Sequence, residues 1–147
     1  MMTSIRAFSV VILLCAIAFS SWPADAATPA MQAASRSIME KALATHEPAA
    51  AKFLLEQAIV ADPANAAALC ALGDLYVKMK QPALAMRYYE IALTVDPINV
   101  KALSGAARLD LADGKKETAT ANLAIMKKTC PTCRETSELE AVLAQSK

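Results

Sequence analysis

Apolar positions follow a helical period over most of this chain. Between Asn65 and Asn99, Leu69, Leu72, Tyr76 and Met79 recur every three or four residues, which places them on one face of a helix. Gln81-Pro82 interrupts that run, because proline fits a first helical turn and not an interior. Leu84, Tyr88, Ile91 and Val95 then mark the expected face of a second helix, which Asp96-Pro97 ends. Gly73, Ala85 and Ala92 are small residues where two such helices would approach closely. The unit reads as an antiparallel helix pair.

The pair repeats. Pro29, Pro63, Pro97 and Pro131 are each 34 residues apart, and so are Pro48 and Pro82. Ala51, Ala85 and Ala119 keep the same interval, as do Asp62 with Asp96 and Asn65 with Asn99. A fixed period of this size means stacked units, each too small to bury its apolar face alone. The expected repeats cover residues 32–65, 66–99 and 100–133.

The middle copy carries Leu69-x2-Leu72-Gly73-x2-Tyr76, then Ala85-x3-Tyr89, Ala92 and Pro97. This resembles the tetratricopeptide repeat pattern, with Leu69 in place of its Trp and Tyr89 in place of its Phe. The first copy matches through Ser35, Ile38, Met39 and Ala42, then Ala51, Leu55, Ala58 and Pro63. The third has Leu103, Ala106, Ala107, Ala119, Leu123 and Pro131, and departs at Asp110, where the family has an aromatic. The resemblance implies an all-α fold of three stacked antiparallel helix pairs in a right-handed solenoid.

A closing helix is expected over residues 133–145. Thr132 and Glu135 have capping-box spacing, and Leu139, Val142 and Leu143 form an apolar stripe opposite Arg134, Glu135, Glu138 and Glu140. A charged outer face suits the open end of a stack.

The first 26 residues have a different composition. Arg6 precedes the apolar run Ala7 to Phe19, and Pro23 leads into Ala24-Asp25-Ala26, the outline of an export signal with a cleavage site. The run is shorter than the roughly 20 apolar residues of a membrane span. We therefore expect a cleaved signal over residues 1–26, a single domain over 27–147 and a periplasmic location in a bacterium; an uncleaved signal acting as a membrane anchor is the alternative.

Composition limits the function classes. The chain is 56% hydrophobic with 15 basic and 14 acidic residues, so it has neither the charge excess of a nucleic-acid binder nor the polarity of a disordered chain. Cys130-Pro131-Thr132-Cys133 is the main chemical candidate. In an oxidising compartment the two cysteines are expected to form a disulfide that clamps the last repeat to its cap. A redox-active dithiol at a helix start is the alternative, although no βαβ pattern surrounds the motif. Cys70 reads as a reduced packing residue and His46 as a solvated residue in the turn before Pro48. Neither has zinc-motif spacing with the cysteine pair, glycines do not form a phosphate loop, and a lone histidine provides no base-and-orienter set. No catalytic residue, cofactor or metal is expected.

The resemblance also implies a concave groove lined by the first helix of each pair. Residues 34 apart stack in rows there: Arg36, Cys70 and Ser104; Glu40, Asp74 and Arg108; Ala33, Ala67 and Lys101; Ala44, Lys78 and Ala112. The expected partner-binding residues are Arg36, Glu40, Asp74, Lys78, Lys101, Ser104 and Arg108, with an acidic half at Glu40 and Asp74 and a basic half at Lys101 and Arg108. The expected partner is a peptide segment of another exported or membrane-associated protein, and self-association through the stack ends is a further possibility. Some relatives clamp a C-terminal carboxylate. Lys101 resembles one clamp element, but Glu40, Ala71 and Gly105 stand where polar or basic groups are required.

Overall fold

The computed structural model describes residues 27–146. The expected signal segment and Lys147 lie outside the described residues. Seven helices follow in order: α1 Pro29–Ala44, α2 Pro48–Ala61, α3 Ala66–Lys78, α4 Pro82–Val95, α5 Val100–Ala112, α6 Lys116–Thr129 and α7 Arg134–Gln145. Short turns force each helix back along its predecessor. α1 packs on α2, α3 on α4 and α5 on α6, while α1, α3, α5 and α7 are side-by-side neighbours.

The 34-residue period is a period of turn chemistry. In the turn between α2 and α3, Asp62 Oδ1 accepts from the Ala64 amide at 3.1 Å, and Asn65 Oδ1 caps α3 by accepting from Ala68 N at 3.0 Å. In the next copy, Asp96 Oδ1 accepts from Ile98 N at 3.3 Å and Asn99 Oδ1 from Ala102 N at 3.1 Å. Each cap satisfies a helix N–H that has no intrahelical partner. Asn99 Nδ2 also donates to Asp96 Oδ2 at 3.1 Å, which locks the turn across itself.

The third copy keeps the backbone of this turn and changes its side chains. Cys130 N donates to Met126 O and Cys133 N to Cys130 O, as Asp96 N does to Ala92 O and Asn99 N to Asp96 O. Cys130 and Cys133 thus occupy the Asp and Asn positions of the repeat. Their Cα atoms are 5.4 Å apart and their side chains meet. The expected Thr132–Glu135 capping box does not form. Cys133 is the N-cap of α7, without a side-chain cap bond, so the helix starts at Arg134. Thr136 Oγ1 instead donates to Cys130 O at 2.8 Å, tying the first turn of α7 back to the end of α6.

The turns within repeats are equally regular. Lys80 and Gly114, 34 residues apart, both take left-handed backbone conformations, φ 58° and 77°. Gln81 N and Lys115 N each reach back five residues, to Tyr76 O and Asp110 O. This closes α3 and α5 in the manner of a left-handed C-cap. Glycine adopts that geometry without strain, and Lys80 does so at a cost.

Alanine provides the close approach between helices. Ala58, Ala68, Ala85, Ala92, Ala102, Ala107 and Ala119 are all fully buried. The apolar face expected for α4 requires correction. Its buried residues are Ala85, Tyr89 and Ala92, whereas Leu84, Ile91 and Val95 are more than one-third exposed. Periodicity favoured the larger side chains, but the tight seam admits only small ones plus the single ring of Tyr89. Tyr88 sits beside it, stacked on Tyr76 with ring centroids 5.4 Å apart.

Candidate functional site

Tyr89 builds the floor of the concave face. Its ring lies between α3 and α5, where an ideal Cβ at Gly73 would come within 2.7 Å of Cε1, and one at Gly105 within 2.7 Å of both Cε1 and Cε2. Only glycine leaves room at these two positions. The phenol emerges on the concave side and donates to Asp74 Oδ1 at 2.7 Å; Asp74 Oδ2 in turn pairs with Lys101 at 2.8 Å. Burial first, and then the Asp74 carboxylate, hold the Tyr89 phenol far above its ordinary pKa, so it remains a neutral donor.

Above this floor is a cavity of 490 Å³ formed by α3, α5 and α7, with Val77, Tyr89, Gly105 and Leu109 as its apolar base. Asp74, Lys78, Lys101, Ser104 and Arg108, five of the seven residues expected from the sequence, line it together. Two smaller cavities, 290 and 120 Å³, continue toward the first repeat and share Lys78 with the large one. Arg36 and Glu40 are exposed on α1 and border none of the three. The first repeat instead contributes Leu43, Thr45 and His46, nearer the end of α1. Cys70, placed in a groove row by the 34-residue interval, is fully buried and directs its thiol toward Asn99 Oδ1 at 3.5 Å.

Sequence reasoning missed the contribution of α7. Arg134, Glu135 and Glu138 were expected on its outer face, yet they form one wall of the large cavity. Leu139 and Thr136 are buried against the last pair, and this turns the adjacent charged side chains inward. Arg108 pairs with Glu138 Oε2 at 2.6 Å, and Arg134 Nε approaches Glu138 Oε1 at 3.5 Å. The expected division into acidic and basic halves is therefore replaced by cross-groove pairs, α3 to α5 and α5 to α7. These pairs are half exposed, where such bridges contribute roughly 0–1 kcal/mol. Among the described residues, no three His, Cys, Asp or Glu side chains cluster as a metal site requires.

No protein-family profile and no curated protein matches the chain. Solved structures do. A tetratricopeptide repeat domain of Arabidopsis OM64 superposes with a TM-score of 0.69 at 20% identity, covering 78% of this chain and 98% of that one. The chain has the tetratricopeptide repeat fold. The second such domain of human RPAP3, solved in complex with an HSP70 peptide, gives a TM-score of 0.65 at 19% identity, with 80% and 98% coverage. The Yersinia enterocolitica type III secretion chaperone SycD, in complex with a peptide of the translocator YopD, gives 0.57 at 17% identity, with 80% and 86% coverage. In this fold α1, α3, α5 and α7 are the inner helices, and the cavities lie along them.

Burial pushes the Cys70 thiol up to about 11 from an unfolded value of about 9.0. The folded state therefore retains this proton more strongly than the unfolded chain. The associated stability is fully present below pH 9 and is lost as pH rises through 11. Thermal unfolding of the wild type and Cys70→Ala across pH 8–11.5 should show the wild-type advantage in Tm shrinking through that window; a constant difference would contradict the assignment.

Proposed function

We propose that this chain is a non-catalytic interaction scaffold or adaptor that binds a peptide segment of a partner protein along the concave face. The carrying observation is the 490 Å³ cavity, whose apolar base is framed by charged side chains from three separate helices. Two structural neighbours, RPAP3 and SycD, were solved with peptides bound, which supports the same use of the fold here. A groove already formed without its ligand also suits this role, because a scaffold that does not order itself on binding retains more of the contact energy as affinity.

The partner is another exported or membrane-associated protein, met in the bacterial periplasm. The signal-like composition of residues 1–26 supports that location. Among the described residues no helix is long and apolar enough to cross a membrane.

Cys130 and Cys133 form a structural disulfide in this proposal. Their occupation of the Asp and Asn positions in the repeat turn supports this over a redox role, since the bond then does covalently what Asp96 and Asn99 do by hydrogen bonding. Closing so short a loop contributes about 2 kcal/mol.

A photo-crosslinker placed at Val77, on the cavity base, should capture a recurrent peptide segment in cells, whereas one at Val60, outside the cavities, should not. Combining Lys101→Glu with Arg108→Glu reverses two of the cross-groove pairs and should lower the Val77 yield at least tenfold; an unchanged yield would exclude the groove as the binding surface. For the cysteines, Cys130→Asp combined with Cys133→Asn should retain most of the wild-type Tm, whereas the double alanine variant should lose several degrees. Equal losses would show that the turn position is not what the pair provides.

A further inference from the structure

The charges around the groove differ in whether they already have partners. Seven charged residues line the large cavity. Asp74 is paired with Lys101, and Arg108 and Arg134 both meet Glu138. Among the described residues, the remaining two, Lys78 and Glu135, make no ion pair and no side-chain hydrogen bond. They stand apart, Lys78 at the end of α3 and Glu135 in the first turn of α7.

Lys78 holds a particular place because it borders all three cavities. On its first-repeat side the lining is mainly apolar, with Leu43, Pro48, Leu75 and Met79. Leu43 is 63% exposed, although it is a large aliphatic residue in a helix whose other face is covered. The pocket beside Lys78 has a volume of 120 Å³, room for a side chain. An extended chain presents its side chains singly and alternately, which suits a series of separate pockets of this kind.

We propose that the groove reads an extended peptide in which an apolar side chain, an acidic side chain and a basic side chain follow in that order along the groove, in either chain direction. The apolar side chain fills the cavity at Leu43, Leu75 and Met79, the carboxylate meets Lys78, and the cation meets Glu135. This rests on the peptide-binding reading above and specifies its ligand. The charge order is complementary to the two unpartnered groups and leaves the three existing pairs in place. Spacing follows from the helices. Packed helix axes lie about 8–10 Å apart, so α3 to α7, two steps through α5, spans about 16–20 Å sideways. Lys78 ends α3 whereas Glu135 begins α7, which adds about 16 Å along the axes at about 1.5 Å per residue and makes the diagonal about 23–26 Å. An extended chain covers about 3.3 Å per residue, which separates the acid and the base by about seven or eight residues. The apolar residue lies one or two positions from the acid, on the side away from the base, since the α1–α3 cavity adjoins Lys78 directly.

The test uses a display library of random 12-residue peptides, fused to the carrier at their C-termini so that only side-chain carboxylates are offered. Selection on the wild-type chain should enrich apolar, acidic and basic residues in the stated order or its reverse, with the acid between the other two. Selection on Lys78→Glu should replace the acidic preference with a basic one and leave the apolar preference intact. A selected peptide should bind Lys78→Glu at least tenfold more weakly, and should recover affinity when its own acid is changed to Lys. Glu135→Lys should act in the same way on the basic position, with circular dichroism confirming that α7 remains helical. Enriched peptides that lose binding on the Lys101→Glu and Arg108→Glu reversal but ignore Lys78→Glu would preserve the interaction scaffold and overturn this specificity. Failure to enrich any peptide would overturn both.

Discussion

The ring of Tyr89 between Gly73 and Gly105 is the contact on which the rest of the molecule depends. It comes from the outer helix α4 and reaches through the seam between two inner helices, α3 and α5. A single side chain therefore sets how far apart the second and third repeats can stand. It also forms the base of the large cavity, so repeat packing and groove shape are one property. Its hydroxyl, bonded to Asp74, extends that packing contact into the cross-groove pair with Lys101.

Around this contact the molecule relies on small residues and short turns. Buried alanines bring helices close, and each inter-repeat turn is held by its own side chains before any long-range packing is needed. The α6–α7 turn takes the same backbone path with cysteines in place of Asp and Asn. That equivalence gives α7 the place of a fourth inner helix as much as of a cap. It explains why α7 faces the groove and contributes Arg134, Glu135 and Glu138 to its wall.

The repeat was legible because its markers act locally. Proline, aspartate and asparagine at a 34-residue interval define turns through backbone geometry and capping bonds, which depend on immediate neighbours. Five groove residues were legible for the same reason, since equal positions in successive units lie on one row. What escaped was set by contacts between units. The buried face of α4 follows from the space left by two glycines on other helices, not from its own hydrophobic period. Arg36 and Glu40 lie on the expected rows, yet the cavities meet α1 nearer its end, at Leu43. The inward turn of α7 follows from the burial of Leu139 and Thr136, and capping-box spacing carried no trace of it.

A double-mutant cycle between Gly105 and Tyr89 tests the central claim most directly. In the wild-type background Gly105→Ala should destabilise the chain by about 1–3 kcal/mol, because the added methyl meets the ring. In the Tyr89→Ala background the space is empty, and the same change should be neutral or stabilise by up to about 1 kcal/mol through helix propensity. Urea unfolding of the four proteins measures both values. Loss or reversal of the cost of Gly105→Ala on removal of the ring is the predicted result, and an equal cost in both backgrounds would contradict the account.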